Sequence, residues 1–98
     1  MAVRVIVQLR AAPGRRDELK SVLHTLLADL GPALKESGSL GSTFYEVVDD
    51  PDALVEIADW ETADARNAVM SDPATAEAMA PVLALLAGPF DATVVQLA

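Results

Sequence analysis

The spacing of the hydrophobic residues changes near residue 15, and this change constrains the fold more than any other feature. Before it, every second residue is apolar, the two-residue period of a strand with one buried face; these residues are Val3, Val5, Val7 and Leu9. After it, apolar residues follow the i, i+3, i+4, i+7 spacing of an amphipathic helix; they are Leu19, Val22, Leu23, Leu26, Leu27, Leu30 and Leu34. The chain is therefore expected to begin with a strand and then a helix over Arg15–Glu36.

The rest of the sequence predicts a strand pair, a broken helix and a final strand. The predicted strands are Ala2–Ala11, Leu40–Val48, Leu54–Trp60 and Phe90–Leu97. The stretch "ESGSLGS" is expected to be a loop and "DDPDA" an acidic turn. Thr62 is a plausible N-cap for a short helix through Met70, and Asp72 for a second helix ending near Gly88.

Prolines mark two helices in different ways. Pro73 follows the expected cap Asp72 at the first helical position, where proline is favoured. Pro32 and Pro81 fall inside helical segments and are expected to weaken or bend them, because proline donates no backbone hydrogen bond. The resulting βαββαβ order predicts one α+β domain over residues 1–98, a ferredoxin-like antiparallel sheet with helices on one face.

Composition and charge exclude several classes of function. The formal charge is −8, which disfavours nucleic acid and anionic membranes as partners. There is no cysteine, and hence no disulfide framework or thiolate nucleophile. The first residues lack a signal-peptide layout and no segment approaches the roughly 20 apolar residues of a membrane span, so a cytoplasmic location is expected.

Both faces of the predicted sheet carry apolar residues, although the helices can cover only one. Ile6 lies opposite the apolar face of the first strand, and Val55 and Ile57 lie opposite Leu54 and Trp60 on the third. An antiparallel sheet with one solvated face usually alternates apolar and polar residues more cleanly. We therefore expect the sheet of an identical chain to cover the second face, giving a homodimer.

Several segments, in this order and spacing, resemble the antibiotic biosynthesis monooxygenase family of dimeric α+β barrels. The segments are "LRAAPGRRDEL", "ESGSLGS", "DDPDALVEIADWETADA" and "SDPATAEAMAPVLALLAGP", and together they cover nearly the whole chain. The resemblance implies two ferredoxin-like subunits packed sheet to sheet, each with a pocket between its sheet and its helices. Some members of the family oxidise quinol-type polyketide aromatics with molecular oxygen and no metal or flavin, whereas others degrade haem, act on quinones or have no known activity.

The sequence departs from this family at several positions. The tyrosine and the two histidines of many relatives correspond here to Ser42, Val69 and Ala74. The haem-degrading branch takes an iron-binding histidine from the second helical region, where this chain has none, so haem is not expected. In a cofactor-independent branch an asparagine lies four residues before the strand tryptophan; that position is Glu56 here.

Glu56 and Trp60 are the candidate catalytic residues. Because strand side chains alternate, the two residues share one face of the third strand. A carboxylate facing an apolar pocket has a raised pKa, which suits a general base for a phenol or quinol, and the tryptophan ring can stack on a flat substrate. The structural alternatives are a solvated strand carboxylate and a core tryptophan.

The candidate substrate-binding residues are Arg4, Gln8, Ser42, Phe44, Met70 and Met79. Arg4 or Gln8 is expected to steady a substrate oxyanion, or else to lie at an edge or interface. The two methionines adapt to an aromatic ligand or simply fill the core. Tyr45, on the opposite face from Phe44, is assigned to the contact between sheets.

No metal or other cofactor is expected. His24 is the only histidine and lies off the leucine stripe of the first helix, and "DDPD" lacks the spacing of a calcium loop. The sequence thus leaves two hypotheses. One is a cofactor-independent monooxygenase acting on a small quinol or polyketide-type aromatic. The other is a non-catalytic homodimer that binds a small hydrophobic metabolite or serves in assembly.

Overall fold

A computed structural model describes all 98 residues and shows four strands and three helices. In chain order they are β1 (Val3–Arg10), α1 (Arg16–Glu36), β2 (Ser39–Glu46), β3 (Ala53–Trp60), α2 (Ala63–Met70), α3 (Pro73–Leu83) and β4 (Asp91–Val95). The strands form one antiparallel sheet in the order β2-β3-β1-β4. This is the predicted ferredoxin-like α+β fold.

The hydrophobic core lies between one face of the sheet and the helices. The alternating apolar residues of β1 point to this side and are all buried, as are Leu19 and Leu23 of α1 and Val82 of α3. The register places Val5 opposite Ala58, so β1 and β3 turn the same apolar face toward the helices. The alternate apolar residues of β1 and the leucine stripe of α1 thus pack together in one core.

The predicted caps of the two shorter helices are confirmed. The Thr62 side chain accepts a hydrogen bond from the Ala65 N–H at 3.0 Å, and Asp72 accepts one from Ala74 at 2.9 Å. Each bond satisfies a backbone donor that the first helical turn leaves without a partner. These caps fix where α2 leaves β3 and where α3 begins.

The loop expected over "ESGSLGS" is limited to residues 37–38, because α1 continues to Glu36 and β2 begins at Ser39, one residue before the predicted start at Leu40. Gly38 lies in the left-handed region at φ +110° just after the C-cap of α1, and the chain pairs with Trp60 from Ser39. Gly41, at φ +117°, lies at a register shift in β2. Within the segment expected to be a loop, Gly38 thus ends a helix and Gly41 allows an irregularity in the pairing of a strand.

Several elements end earlier than predicted: β1 ends at Arg10 rather than Ala11, β2 at Glu46 rather than Val48, and α3 and β4 are also shorter. The helix expected to reach Gly88 ends at Leu83, because the next residues bond back to the end of β1: the Ala12 N–H donates to the Leu85 carbonyl and the Ala87 N–H to that of Arg10. The final strand ends at Val95, which pairs with Arg4 at the start of β1. Neither Pro32 nor Pro81 ends its helix.

The second face of the sheet is open to solvent. It carries Ile6 and Ile57, which are directly opposite each other, with Tyr45 of β2 and Val95 of β4 toward the two edges. Tyr45 and Val95 are exposed, as is every residue of β4. No helix of the chain is both long enough and apolar enough to span a membrane.

Candidate active site

An apolar cavity of about 130 Å³ lies between the inner face of the sheet and the three helices. Sixteen of its 21 lining residues are hydrophobic. The sheet contributes Val5, Val7, Leu9, Ser39, Ser42, Phe44, Glu56, Ala58 and Trp60. The helices contribute Leu23, Leu26, Leu27, Leu30, Leu34, Arg66, Val69, Met70, Thr75, Met79 and Val82, and Phe90 lies just before β4.

Glu56 faces this cavity, which answers the question that strand alternation leaves open. In the sheet register it lies opposite Val7 on β1 and Phe44 on β2, so its carboxyl has an apolar side chain on each side. Burial raises the pKa of Glu56, while a hydrogen bond from Ser42 and the positive charge of Arg66 oppose the rise. The carboxyl thus retains a proton to a higher pH than an ordinary glutamate does.

Trp60 lies on the same face, at the end of β3. Its side chain is 7% exposed and belongs both to the hydrophobic core and to the cavity wall. The pocket and core interpretations of this tryptophan therefore do not exclude each other. The ring is packed firmly enough to present a fixed flat surface to a ligand.

Four of the predicted substrate-binding residues line the cavity. Ser42 and Phe44 project from β2, Met70 ends α2 and Met79 lies on α3. The structure therefore brings these four residues, from β2, α2 and α3, to the same cavity as Glu56 of β3. The residues are far apart in the sequence, and their spacing along the chain does not show that they meet in the folded protein.

Arg4 and Gln8 do not line the cavity. They lie on the open face of the sheet, because β1 turns its alternate valines and Leu9 inward. The Arg4 Nε donates a hydrogen bond to Asp59 Oδ1 at 2.8 Å, across from it on β3. The expectation that either residue steadies an oxyanion beside Trp60 is corrected by this geometry, since the whole sheet separates them from the cavity.

Arg66 is the functional candidate that sequence reasoning missed. It lines the cavity from α2, together with Val69 and Met70. The signal was present, because these three residues stand at i, i+3 and i+4 and so share one helical face. Arginine was overlooked because a charged residue on a short helix is usually solvated.

His24 lies outside the cavity, as its position off the leucine stripe predicts. It is exposed on α1, with its ring centroid 6.2 Å from that of Phe44 at a 57° interplanar angle. This is a tilted aromatic contact with the outer side of a cavity residue. No group of three or more histidine, cysteine or acidic side chains is placed to hold a metal ion.

A second groove adjoins the cavity between α1 and β2. Leu27, Leu34, Ser39 and Ser42 line both the cavity and a shallower groove on the outside of the protein. Gly31 borders that groove, and the space above it is empty. These shared residues make the side of α1 that faces β2 the place where the cavity and the outer groove come nearest to each other.

The arrangement defines an α+β domain with an apolar site between its sheet and its helices. No protein-family model matches the chain, and no curated protein matches it. Solved structures do match. A protein from Chloroflexus aurantiacus that carries the name of the antibiotic biosynthesis monooxygenase family superposes with a TM-score of 0.72 at 25% identity, over 100% of this chain and 96% of that one.

Two further structures match over almost their whole lengths. SnoaB, a cofactor-independent oxygenase from Streptomyces nogalater, gives a TM-score of 0.80 at 18% identity and covers 99% of this chain and 93% of its own. A Bordetella bronchiseptica protein named for the same family gives 0.81 at 19% identity, covering 99% and 97%. The chain has the fold of the antibiotic biosynthesis monooxygenases, and the predicted resemblance to that family is confirmed.

Proposed function

We propose that this protein is a cofactor-independent monooxygenase that oxidises a small aromatic quinol with molecular oxygen. The observation that carries the proposal is the joint placement of Glu56 and Trp60 in an apolar cavity, on a fold shared with a cofactor-independent oxygenase. Glu56 provides a base with a raised pKa. Trp60 provides a rigid surface for stacking.

The volume of the cavity favours a single aromatic ring over a multi-ring polyketide. Cavities of about 150 Å³ lined by aliphatic side chains accept benzene, and drug-sized ligands need about 300 Å³ or more. The cavity here, at about 130 Å³, belongs to the first class. A larger substrate would require α1 and β2 to move apart.

The proposed reaction needs no group beyond the substrate, oxygen and the side chains. Glu56 takes the hydroxyl proton, and the resulting anion gives one electron to oxygen, forming a ring radical and superoxide. The two radicals combine into a C–O bond, and protonated Glu56 returns its proton to the peroxide oxygen. Loss of the ring C–H proton with cleavage of the O–O bond gives a carbonyl and water, so that one oxygen atom enters the product and the other leaves as water.

The apolar surroundings support the first of these steps. Desolvation raises the basicity of Glu56 and removes water that would otherwise solvate the carboxylate. General-base catalysis contributes about 10²- to 10⁴-fold in rate. Ser42 lines the cavity beside Glu56, and its hydroxyl lowers the pKa of the carboxyl and so opposes part of the rise that burial causes.

Oxygen uptake with single-ring quinols tests the function directly. Glu56→Gln is expected to lower the enzyme-dependent rate by about 10²-fold or more, after subtraction of spontaneous oxidation. Glu77→Gln, which makes the same change on the exposed side of α3, should leave the rate unchanged. Labelled oxygen gas should place one labelled atom in the product.

Two results would count against the oxygenase. Turnover at the same rate without oxygen would assign a different reaction to the cavity. Saturable binding of ring compounds with no oxygen uptake from any quinol would favour the alternative of a non-catalytic binding protein.

We further propose that the protein acts as a homodimer joined through the open face of the sheet. The support is the apolar centre of that face, Ile6 and Ile57, and the exposed valines of β4 on a chain in which only 13 of 98 residues are buried. A second copy would cover both features.

A further inference from the structure

Arg66 has no ion-pair partner, although it lines an otherwise apolar cavity. Five of the seven lysine and arginine side chains lie within ion-pair distance of a carboxylate: Arg4, Arg10, Arg15, Arg16 and Lys20. The two others are Lys35 and Arg66. Lys35 is exposed in the last turn of α1, whereas Arg66 is half-buried.

The position of Arg66 is set by its helix. The Thr62 cap fixes the start of α2, and Arg66 then shares the inward face with Val69 and Met70. A guanidinium half removed from water loses solvation, and this loss is normally offset by a nearby carboxylate. Here no carboxylate lies within 4 Å of it, since none of the ion pairs includes Arg66.

Glu56 is the only other titratable side chain that lines the cavity. The charge of Arg66 is close enough to lower the pKa of Glu56, but none of the ion pairs of the structure joins the two groups. The site therefore contains an acceptor of protons and a separate binder of anions. A ring with one ionisable hydroxyl matches both groups at once.

We propose that Arg66 is the anion-binding residue of the cavity, and that the ligand is a single-ring phenol or quinol whose oxygen Arg66 holds as the oxyanion. This inference rests on the proposed function. It gives to Arg66 the role of steadying a substrate oxyanion, which the sequence predicted for Arg4 or Gln8. The chain carries a net charge of −8, so the ligand enters as the neutral phenol. Its O–H bond then breaks, the proton passes to Glu56, and the charge left on oxygen pairs with the guanidinium.

Binding of para-nitrophenol tests this role without any turnover. The phenol is too electron-poor to be oxidised, its ionised form is yellow, and binding can be followed by quenching of Trp60, the only tryptophan. The pKa of the bound probe is expected to be lower than that of the free probe. Arg66→Met should raise the bound pKa by about one unit, which is a tenfold loss of preference for the phenolate.

Two variants separate a specific role from a general one. Arg66→Lys keeps the charge and should retain most of the phenolate preference. Lys35→Met removes the other unpaired cation, at an exposed site, and should change nothing. Repeating the titration in Glu56→Gln distinguishes the effect of the neighbouring carboxyl from that of the guanidinium.

An unchanged bound pKa in Arg66→Met, or no saturable quenching of Trp60, would overturn the proposal. The outcome is independent of the oxygenase assay. A probe that binds as the phenolate through Arg66, in a protein that takes up no oxygen, would retain the anion site and reject the monooxygenase.

Discussion

The Glu56 carboxyl lies half-buried between Val7 and Phe44. This position lowers the stability of the folded protein at neutral pH, and it also raises the basicity on which the proposed reaction depends. Burial raises its pKa in the folded protein above the value in the unfolded chain. Between these two pKa values the folded state binds more protons than the unfolded state, so the free energy of unfolding falls as the pH rises. Below the unfolded pKa the residue is protonated in both states and the penalty vanishes.

Replacing Glu56 by glutamine should therefore stabilise the protein at neutral pH while abolishing its proposed base. The gain should shrink as the pH falls from the raised pKa of the folded state toward the ordinary glutamate pKa, and it should be absent below that value, since glutamine resembles the protonated side chain. Urea unfolding of wild type and Glu56→Gln from neutral to acid pH measures this, with exposed Glu77→Gln as the matched control. A variant that is less stable at neutral pH would show that the ionised carboxyl is well solvated in the fold.

At the scale of elements, α1 contains a proline in its exposed face without ending there. Pro32 has no N–H to donate to the Ala28 carbonyl, and the helix nevertheless continues to Glu36. Gly31 before it lacks the Cβ that would crowd the proline ring. Packing of the leucine stripe on the sheet, rather than the backbone of this turn, therefore maintains the end of α1.

Pro32→Ala should accordingly raise the free energy of unfolding by about 1–2 kcal/mol. An interior proline costs about 3 kcal/mol relative to alanine, offset in part by the lower entropy that proline gives to the unfolded chain. For a domain of this size the change corresponds to roughly 4–8 °C in Tm per kcal/mol, measurable by calorimetry.

Pro73→Ala is the control for this change, because Pro73 begins α3, where proline is compatible with the helix. It should give no gain. If Pro32→Ala also gave none, the proline would be stabilising a bend that the cavity needs.

At the scale of the whole molecule, the open sheet face is the feature that a single chain leaves unexplained. Ile6 and Ile57 meet at its centre, and the Arg4–Asp59 pair lies toward one end. Stable interfaces combine such an apolar centre with a polar rim. The same face cannot serve as the catalytic site, because the cavity lies on the other side of the sheet.

Ile57→Glu should dissociate the proposed dimer. The substitution places a carboxylate at the centre of the buried face in both copies, where its desolvation has no compensating partner. Light scattering should give a mass near twice the 10.3 kDa of the chain for wild type and near one chain mass for the variant.

The matched control is Ala76→Glu, which adds the same charge at an exposed position on α3 and should leave the mass unchanged. A wild-type mass of one chain at micromolar concentration would reject the dimer and leave the apolar sheet face without an explanation.

The sequence by itself determined the elements, their order and most of their ends to within two residues. Helix and strand periods depend on neighbouring residues, and the Thr62 and Asp72 caps act within one turn, so local information was enough. It also determined which residues share a strand face, including Glu56 with Trp60. Where long-range pairing sets a boundary, as after Leu83, the predicted end near Gly88 was wrong.

Only the tertiary structure decided which face of the sheet the helices cover. Alternation places Arg4 with Gln8 on one face of a strand, and Glu56 with Trp60 on one face of another. It does not determine which of these faces lies toward the helices until the strands pair and α1 packs on one side. That packing placed Glu56 in the cavity and Arg4 outside it, and it brought Arg66 to the same cavity from a helix later in the chain. The site is assembled from residues distant in sequence, and their proximity depends on burial of the whole core rather than on any local pattern.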